Sequence, residues 1–173
     1  MKLEAVELRR VVMPYVSPFR TSFGTELGKD ALVVRAIGPD SEGWGECVAM
    51  EAPLYSSEYA DAVGHVLRHH LLPRLFDAGD ITASAVADAL EPVKGHRMAK
   101  ATIETAILDA ELRAAGISLA SHLGGTKDAV DSGVSVGIMD SVPQLLDAVE
   151  RYLDQGYARI KLKIEPGWDV EPV

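Results

Sequence analysis

The 173-residue chain has a single cysteine, Cys47, few aromatic residues (6%) and a shortage of positive charge, 17 Lys and Arg against 26 Asp and Glu. One thiol excludes an internal disulfide framework and any zinc site built on several cysteines. A net charge of −9, with no basic run longer than Arg9-Arg10, speaks against a surface that tracks nucleic-acid phosphates. No apolar run nears the roughly 18 residues of a membrane span. The opening MKLEAVELRR puts acids and arginines where a secretory signal needs an unbroken apolar stretch. Internal repeats and low-complexity segments are absent. What is present, 47% hydrophobic and 25% charged residues, is the balance of a folded core. The expectation is a soluble, cytoplasmic protein with room for one domain, or for a small domain and part of a second.

Strand-like material comes first. Met1 to Met13, Ala31 to Ile37 and Gly43 to Val48 predict three short strands in an antiparallel meander. The link from Pro14 to Lys29, with Pro18, Gly24 and Gly28, predicts a long and functional loop. Helices follow. One is capped by Ser56 or Ser57 and ends at Pro73; a shorter one begins at Thr82. The clearest runs from about Met98 to Ala115, with Ala99, Ile103, Ala106, Ile107 and Ala110 on one stripe and Gly116 as terminator. Strands and helices in separate blocks make an α+β domain, residues 1–125.

Beyond Gly124-Gly125 the order changes. Gly133 to Gly137 predicts a strand. Asp140 or Ser141 caps a helix burying Leu145, Leu146, Val149, Tyr152 and Leu153, and Ala158 to Ile164 predicts a second strand. Pro166-Gly167-Trp168-Asp169 looks like a turn into another helix. Strand, helix, strand is a parallel, right-handed βαβ unit, residues 126–173.

The last strand carries Lys161 and Lys163 on one face and Ile160, Leu162 and Ile164 on the other. Two readings fit this spacing. The strand can be half-exposed with its lysines in water. Alternatively, the aliphatic face packs outward under helices and the two ammonium groups crowd a confined interior, where repulsion and lost hydration favour a neutral amine that serves as a general base. Residues at the C-terminal ends of barrel strands are where such folds place chemistry. Other motifs are weaker. His65 and His69 have a metal-compatible i, i+4 spacing, but the second position is Val66, so there is no H-E-x-x-H, and the bland reading is surface histidines. Gly124-Gly125-Thr126-Lys127 lacks P-loop spacing and reads as a helix end and linker. Glu104, Asp109 and Glu111 read as polar-face or capping contacts, and Cys47 as a small buried residue.

Several stretches in this order resemble the muconate-lactonizing subgroup of the enolase superfamily, and within it the o-succinylbenzoate synthase and N-acylamino acid racemase family. They are Pro18-Phe19-Arg20-Thr21-Ser22-Phe23-Gly24, Gly43-Trp44-Gly45-Glu46-Cys47, Ala99 to Leu112 with Glu104 and Asp109, Leu123-Gly124-Gly125, Gly133 to Gly137, and Ile160 to Asp169. The resemblance implies an α+β capping domain, a three-stranded antiparallel meander plus a helical bundle, followed by the first βαβ unit of a truncated (β/α) TIM-like barrel. It implies removal of the proton α to a carboxylate, through an enolate stabilised by a divalent metal (Mg, possibly Mn or Co). By position, Lys163 resembles the base and Lys161 the positive charge that lowers its pKa. Ser135 matches a substrate-contacting position. The segments Phe19 to Gly24 and Met50 to Tyr55 resemble the two capping loops, with Phe19, Met50 and Tyr55 forming an apolar wall.

A complete barrel takes about 250 residues, and in the family the metal-binding acids and a second lysine follow on later strands. Asp169 and Glu171 do not match those metal positions, so the resemblance implies no metal ligand in this chain and no activity of the chain alone. It implies a small carboxylate substrate, a role in menaquinone synthesis for the synthase reaction, no nucleic-acid or membrane partner, and a homo-oligomer when full length. The other readings are a non-catalytic fragment acting as an interaction module, and another subgroup enzyme such as a dipeptide epimerase.

Overall fold

The structure, a computed structural model, describes residues Met1–Val173. It divides into two compact units, Met1–Met13 with Lys29–Thr126, and Pro14–Gly28 with Lys127–Val173. No helix is long and apolar enough to cross a membrane.

A three-stranded sheet runs in the order β1 (Ala5–Thr21), β2 (Gly24–Ile37), β3 (Glu42–Cys47), with β2 and β3 antiparallel and Val34 opposite Gly45. The predicted loop from Pro14 to Lys29 is strand instead: β1 and β2 continue as a long hairpin that turns at Ser22-Phe23. Pro14 and Pro18 lie on β1, an edge strand, the place in a sheet where proline is tolerated. Gly24, at φ +142°, takes a backbone conformation that disfavours other residues.

On β2, Leu32, Val34 and Ala36 alternate into the first unit's core, with Cys47 from β3. Helices cover them: α1 (Ala60–Val66), a π turn (Leu67–Leu71), α2 (Leu72–Asp77), α3 (Ala83–Ala89) and α4 (Arg97–Ala115). The first helix therefore neither begins at a serine cap nor ends at Pro73. Tyr59 occupies the N-cap position, and the Leu72 N–H donates to Leu67 O, five residues back. Pro73 has no N–H, and its ring would press on the carbonyl four residues earlier; one wide turn lets the chain pass through it.

The stripe on α4 is as predicted, with Ala99, Ile103, Ala106, Ile107 and Ala110 fully buried and Gly116 closing the helix in the left-handed region. Its small residues matter because β3 lies on the helix backbone. A Cβ on Gly43 would overlap Ala106 O and Ala110 N, and one on Gly45 would overlap Thr102 O. The acids of this helix act as contacts: Asp109 accepts from the Trp44 N–H (2.9 Å) and Arg113 (2.7 Å), and Glu111 accepts from the Ala83 N–H at the start of α3 (3.2 Å).

A cap not evident in the sequence comes from half-buried Glu58, whose carboxylate accepts from Met98 N–H (2.9 Å) and Ala99 N–H (3.1 Å) in the first turn of α4. Two otherwise orphaned donors and the positive end of the helix are met at once. Glu58→Ala should lower stability by about 1–2 kcal/mol, seen as a lower urea midpoint at constant slope. An unchanged midpoint would show that water serves those donors equally well.

In the second unit, β4 (Gly133–Val136), α6 (Val142–Asp154) and β5 (Arg159–Leu162) form a parallel strand–helix–strand; the short α5 (Leu119–His122) precedes them in the first unit. Ser141 caps α6, its Oγ accepting from Gln144 N–H. Leu145 and Ala148 are buried, but Leu146 and Leu153 are 61% and 53% exposed, contrary to the predicted face. The helix packs by the narrower stripe of Leu145, Ala148, Val149 and Tyr152 against Val136, Ile160 and Leu162. After β5, Glu165 to Trp168 closes a tight turn, the Trp168 N–H donating to Glu165 O (2.8 Å) with Gly167 at φ +86°. That suits Pro166-Gly167 at the centre of a type II turn. No helix follows up to Val173.

Candidate active site

The candidate site is built on β4 and β5. Their register sets Ser135 opposite Lys161 and Val136 opposite Leu162. Because Ile160, Leu162 and Val136 pack beneath α6, the alternation turns Ser135 and Lys161 to the other face of the strand pair. Lys163 stands just past β5, held by its own N–H on Val136 O (3.0 Å). Its ammonium lies 5.6 Å from the centre of the half-buried Phe19 ring, within cation–π range.

Phe19 belongs to the tip of the β1–β2 hairpin, which is fastened to the ends of β4 and β5. The Arg20 carbonyl accepts from Ile138 N–H (3.1 Å), and its guanidinium reaches Asp140 (3.0 Å) and Glu165 (3.1 Å). Gly137 permits this approach: a Cβ there would lie 3.3 Å from Arg20 O and 3.6 Å from the Phe19 ring. Within the tip, the Thr21 hydroxyl donates to Gly24 O (3.0 Å). Across the hairpin the Tyr15 hydroxyl donates to Glu26 (3.1 Å). Burial first, and then that carboxylate, raise the Tyr15 pKa. A raised phenol favours the neutral form in the fold, so this bond is retained at neutral pH and lost as pH rises through the folded value.

Phe19, Ser135, Lys161 and Lys163 thus fall in one unit, with Phe19 meeting Lys163 and Ser135 paired with Lys161. Met50 and Tyr55 belong to the other unit, on an irregular stretch. Met50 is half-buried and its carbonyl accepts from Ala60 N–H (3.0 Å), while Tyr55 is 73% exposed. The confined interior expected around the lysines is not formed by these residues: Lys161 is exposed and Lys163 half-buried. Two strands enclose no space; closure takes eight. Sequence reasoning also missed the Arg20 latch. Arg20 lies in one of the family-like stretches, but its partners are 120 and 145 residues away, beyond any periodic signal.

The latch is partly solvated, so each ion pair is worth about 0–1 kcal/mol. Arg20→Met should leave global stability nearly unchanged while the Ile138 amide exchanges with deuterium about five- to tenfold faster, the equivalent of about 1–1.4 kcal/mol. Unchanged protection would show that backbone pairing alone holds the tip.

No group of three or more His, Cys, Asp or Glu side chains is arranged to hold a metal ion. The divalent metal of the resemblance therefore finds no ligand set in these residues.

A three-stranded antiparallel sheet with its helices, then a parallel strand–helix–strand, is the arrangement of an enolase-superfamily capping domain leading into a (β/α) barrel. The chain belongs to that superfamily: the mandelate racemase / muconate lactonizing enzyme N-terminal domain matches residues 5–124. Over all 173 residues it is 64% identical to an N-succinylamino acid racemase of Amycolatopsis sp, covering 47% of that protein. It is 40% identical to an o-succinylbenzoate synthase of Geobacillus kaustophilus, covering 100% of this chain and 46% of the relative. The crystal structure of an enolase-superfamily protein from Listeria innocua superposes with a TM-score of 0.92 at 33% identity, over 99% of this chain and 47% of that one. The chain spans about half the length of the curated relatives it matches.

Proposed function

We propose that these residues are the amino-terminal part of an N-succinylamino acid racemase or o-succinylbenzoate synthase, with residues 1–125 as capping domain and 126–173 as the start of the barrel. The observation that carries this is the meeting of Lys163, at the end of a barrel strand, with Phe19 on the latched hairpin. A potential base and an apolar surface for a bulky acyl or aromatic group are thereby adjacent. In the proposed reaction the Lys163 amine takes the proton from the carbon α to the substrate carboxylate, and the bonding pair moves into the carboxylate as an enolate. Return of a proton to the opposite face inverts the centre; in the synthase reaction Lys163 passes its proton to the β-hydroxyl, which departs as water while the enolate pair forms the new carbon–carbon double bond. Lys161 places positive charge near the developing enolate, and Ser135 contacts the substrate. The divalent metal, its ligands and the opposite proton donor come from outside these residues. The protein works in the cytoplasm, as a homo-oligomer when full length.

The test uses a full-length protein carrying this chain, supplied with Mg²⁺ in D₂O. N-succinyl amino acids should gain deuterium at the α carbon and racemise, and the succinylbenzoate precursor should lose water. Exclusive turnover of a dipeptide or a muconate would overturn the assignment.

A further inference from the structure

We infer that His65 and His69 form a two-imidazole clamp for a late first-row divalent ion, with His70 at its edge. The site lies in the first unit and does not rest on the proposed enolate chemistry. In an unbroken α-helix, residues four apart share a face, whereas His70 would stand roughly 140° around the axis from His65. The π turn over Leu67–Leu71 changes that, since its i→i+5 pattern brings residues five apart onto one side. The His65 ring centre is 4.6 Å from that of His69 and 5.8 Å from that of His70, with tilts of 43° and 58°. All three side chains are exposed, so each ring can rotate to present a nitrogen.

Imidazole pairs suit Ni²⁺, Cu²⁺ and Zn²⁺, while Mg²⁺ and Ca²⁺ require oxygen ligands. The carboxylate one turn earlier on this face, Asp61, is engaged by Arg10 (2.5 Å). No third ligand converges with the pair, so water completes the coordination. The Pro73-linked π turn thus adds His70 at the edge of a pair that helical spacing already places on one face.

The experiment titrates a full-length protein carrying this chain, held in excess Mg²⁺, with Ni²⁺ by calorimetry and by paramagnetic broadening of histidine signals. One equivalent should bind, broadening His65 and His69 first, and excess Mg²⁺ should not displace it. Removing a metal's outer-shell partner already costs about 10–100-fold in affinity, so His65→Gln or His69→Gln should each cost at least about tenfold. His70→Gln should cost less, and His122→Gln nothing. Undiminished binding in the His65→Gln/His69→Gln double variant, or loss of binding in His122→Gln, would overturn the clamp. The three histidines are exposed, so these variants retain the fold.

Discussion

Gly45→Val should cost about 3 kcal/mol or more, a large part of the roughly 5–15 kcal/mol that holds a domain folded. The cause is geometric. A Cβ at Gly45 would overlap Thr102 O and lie 3.1 Å from Ala106 N, and both are backbone atoms of α4 that cannot swing aside as a side chain would. Relief requires β3 to lift off the helix, breaking the packing of Cys47, Ala99 and Ile103 behind it. Gly45→Ala should already produce most of the loss. Gly79→Ala is the control: Gly79 has φ +74° with open space where a Cβ would stand, so it isolates left-handed strain at about 1–2 kcal/mol. Urea denaturation followed by circular dichroism would rank the three. A Gly45→Ala midpoint equal to that of the parent would refute the close-approach argument.

Lys163→Ala, in a full-length protein carrying this chain, should reduce α-proton exchange with D₂O by about 10²–10⁴-fold, the range for a lost general base. The fold should survive, because the side chain contributes only a cation–π contact with Phe19, about 0.5–1 kcal/mol at a partly exposed site. Lys163→Arg sharpens the test. It keeps the positive charge and the stacking on Phe19, but guanidinium stays protonated and cannot accept a proton. Exchange should be lost in both variants. Survival of exchange in Lys163→Arg would reduce the lysine to a positive charge and move the base elsewhere.

Legibility varied with the range of the interaction. The α4 stripe from Ala99 to Ala110 was readable because helical period and burial coincide at each of its apolar positions. The strand–helix–strand from Gly133 to Leu162 was readable because its caps and apolar runs are local. The Pro14–Lys29 hairpin was not, since proline and glycine signal a loop unless the strand is known to lie at an edge. The π turn before Pro73 was hidden likewise: a proline ends a helix in sequence terms, and only the surrounding core shows that the chain continues. Glu58 on the start of α4 lies 40 and 41 residues from its donors, outside the reach of a capping motif.

Alternation along Arg159 to Lys163 was sufficient to separate the lysine face from the aliphatic face. That is a property of the strand itself, whose side chains must point to opposite sides. Whether an ammonium is exposed, as at Lys161, or half-covered and stacked, as at Lys163 on Phe19, depends on a hairpin distant in the chain and fastened by Arg20. The sequence by itself determined the residue types and their periodic faces. Tertiary structure decided which of them meet, because ion pairs and ring contacts depend on distance in space.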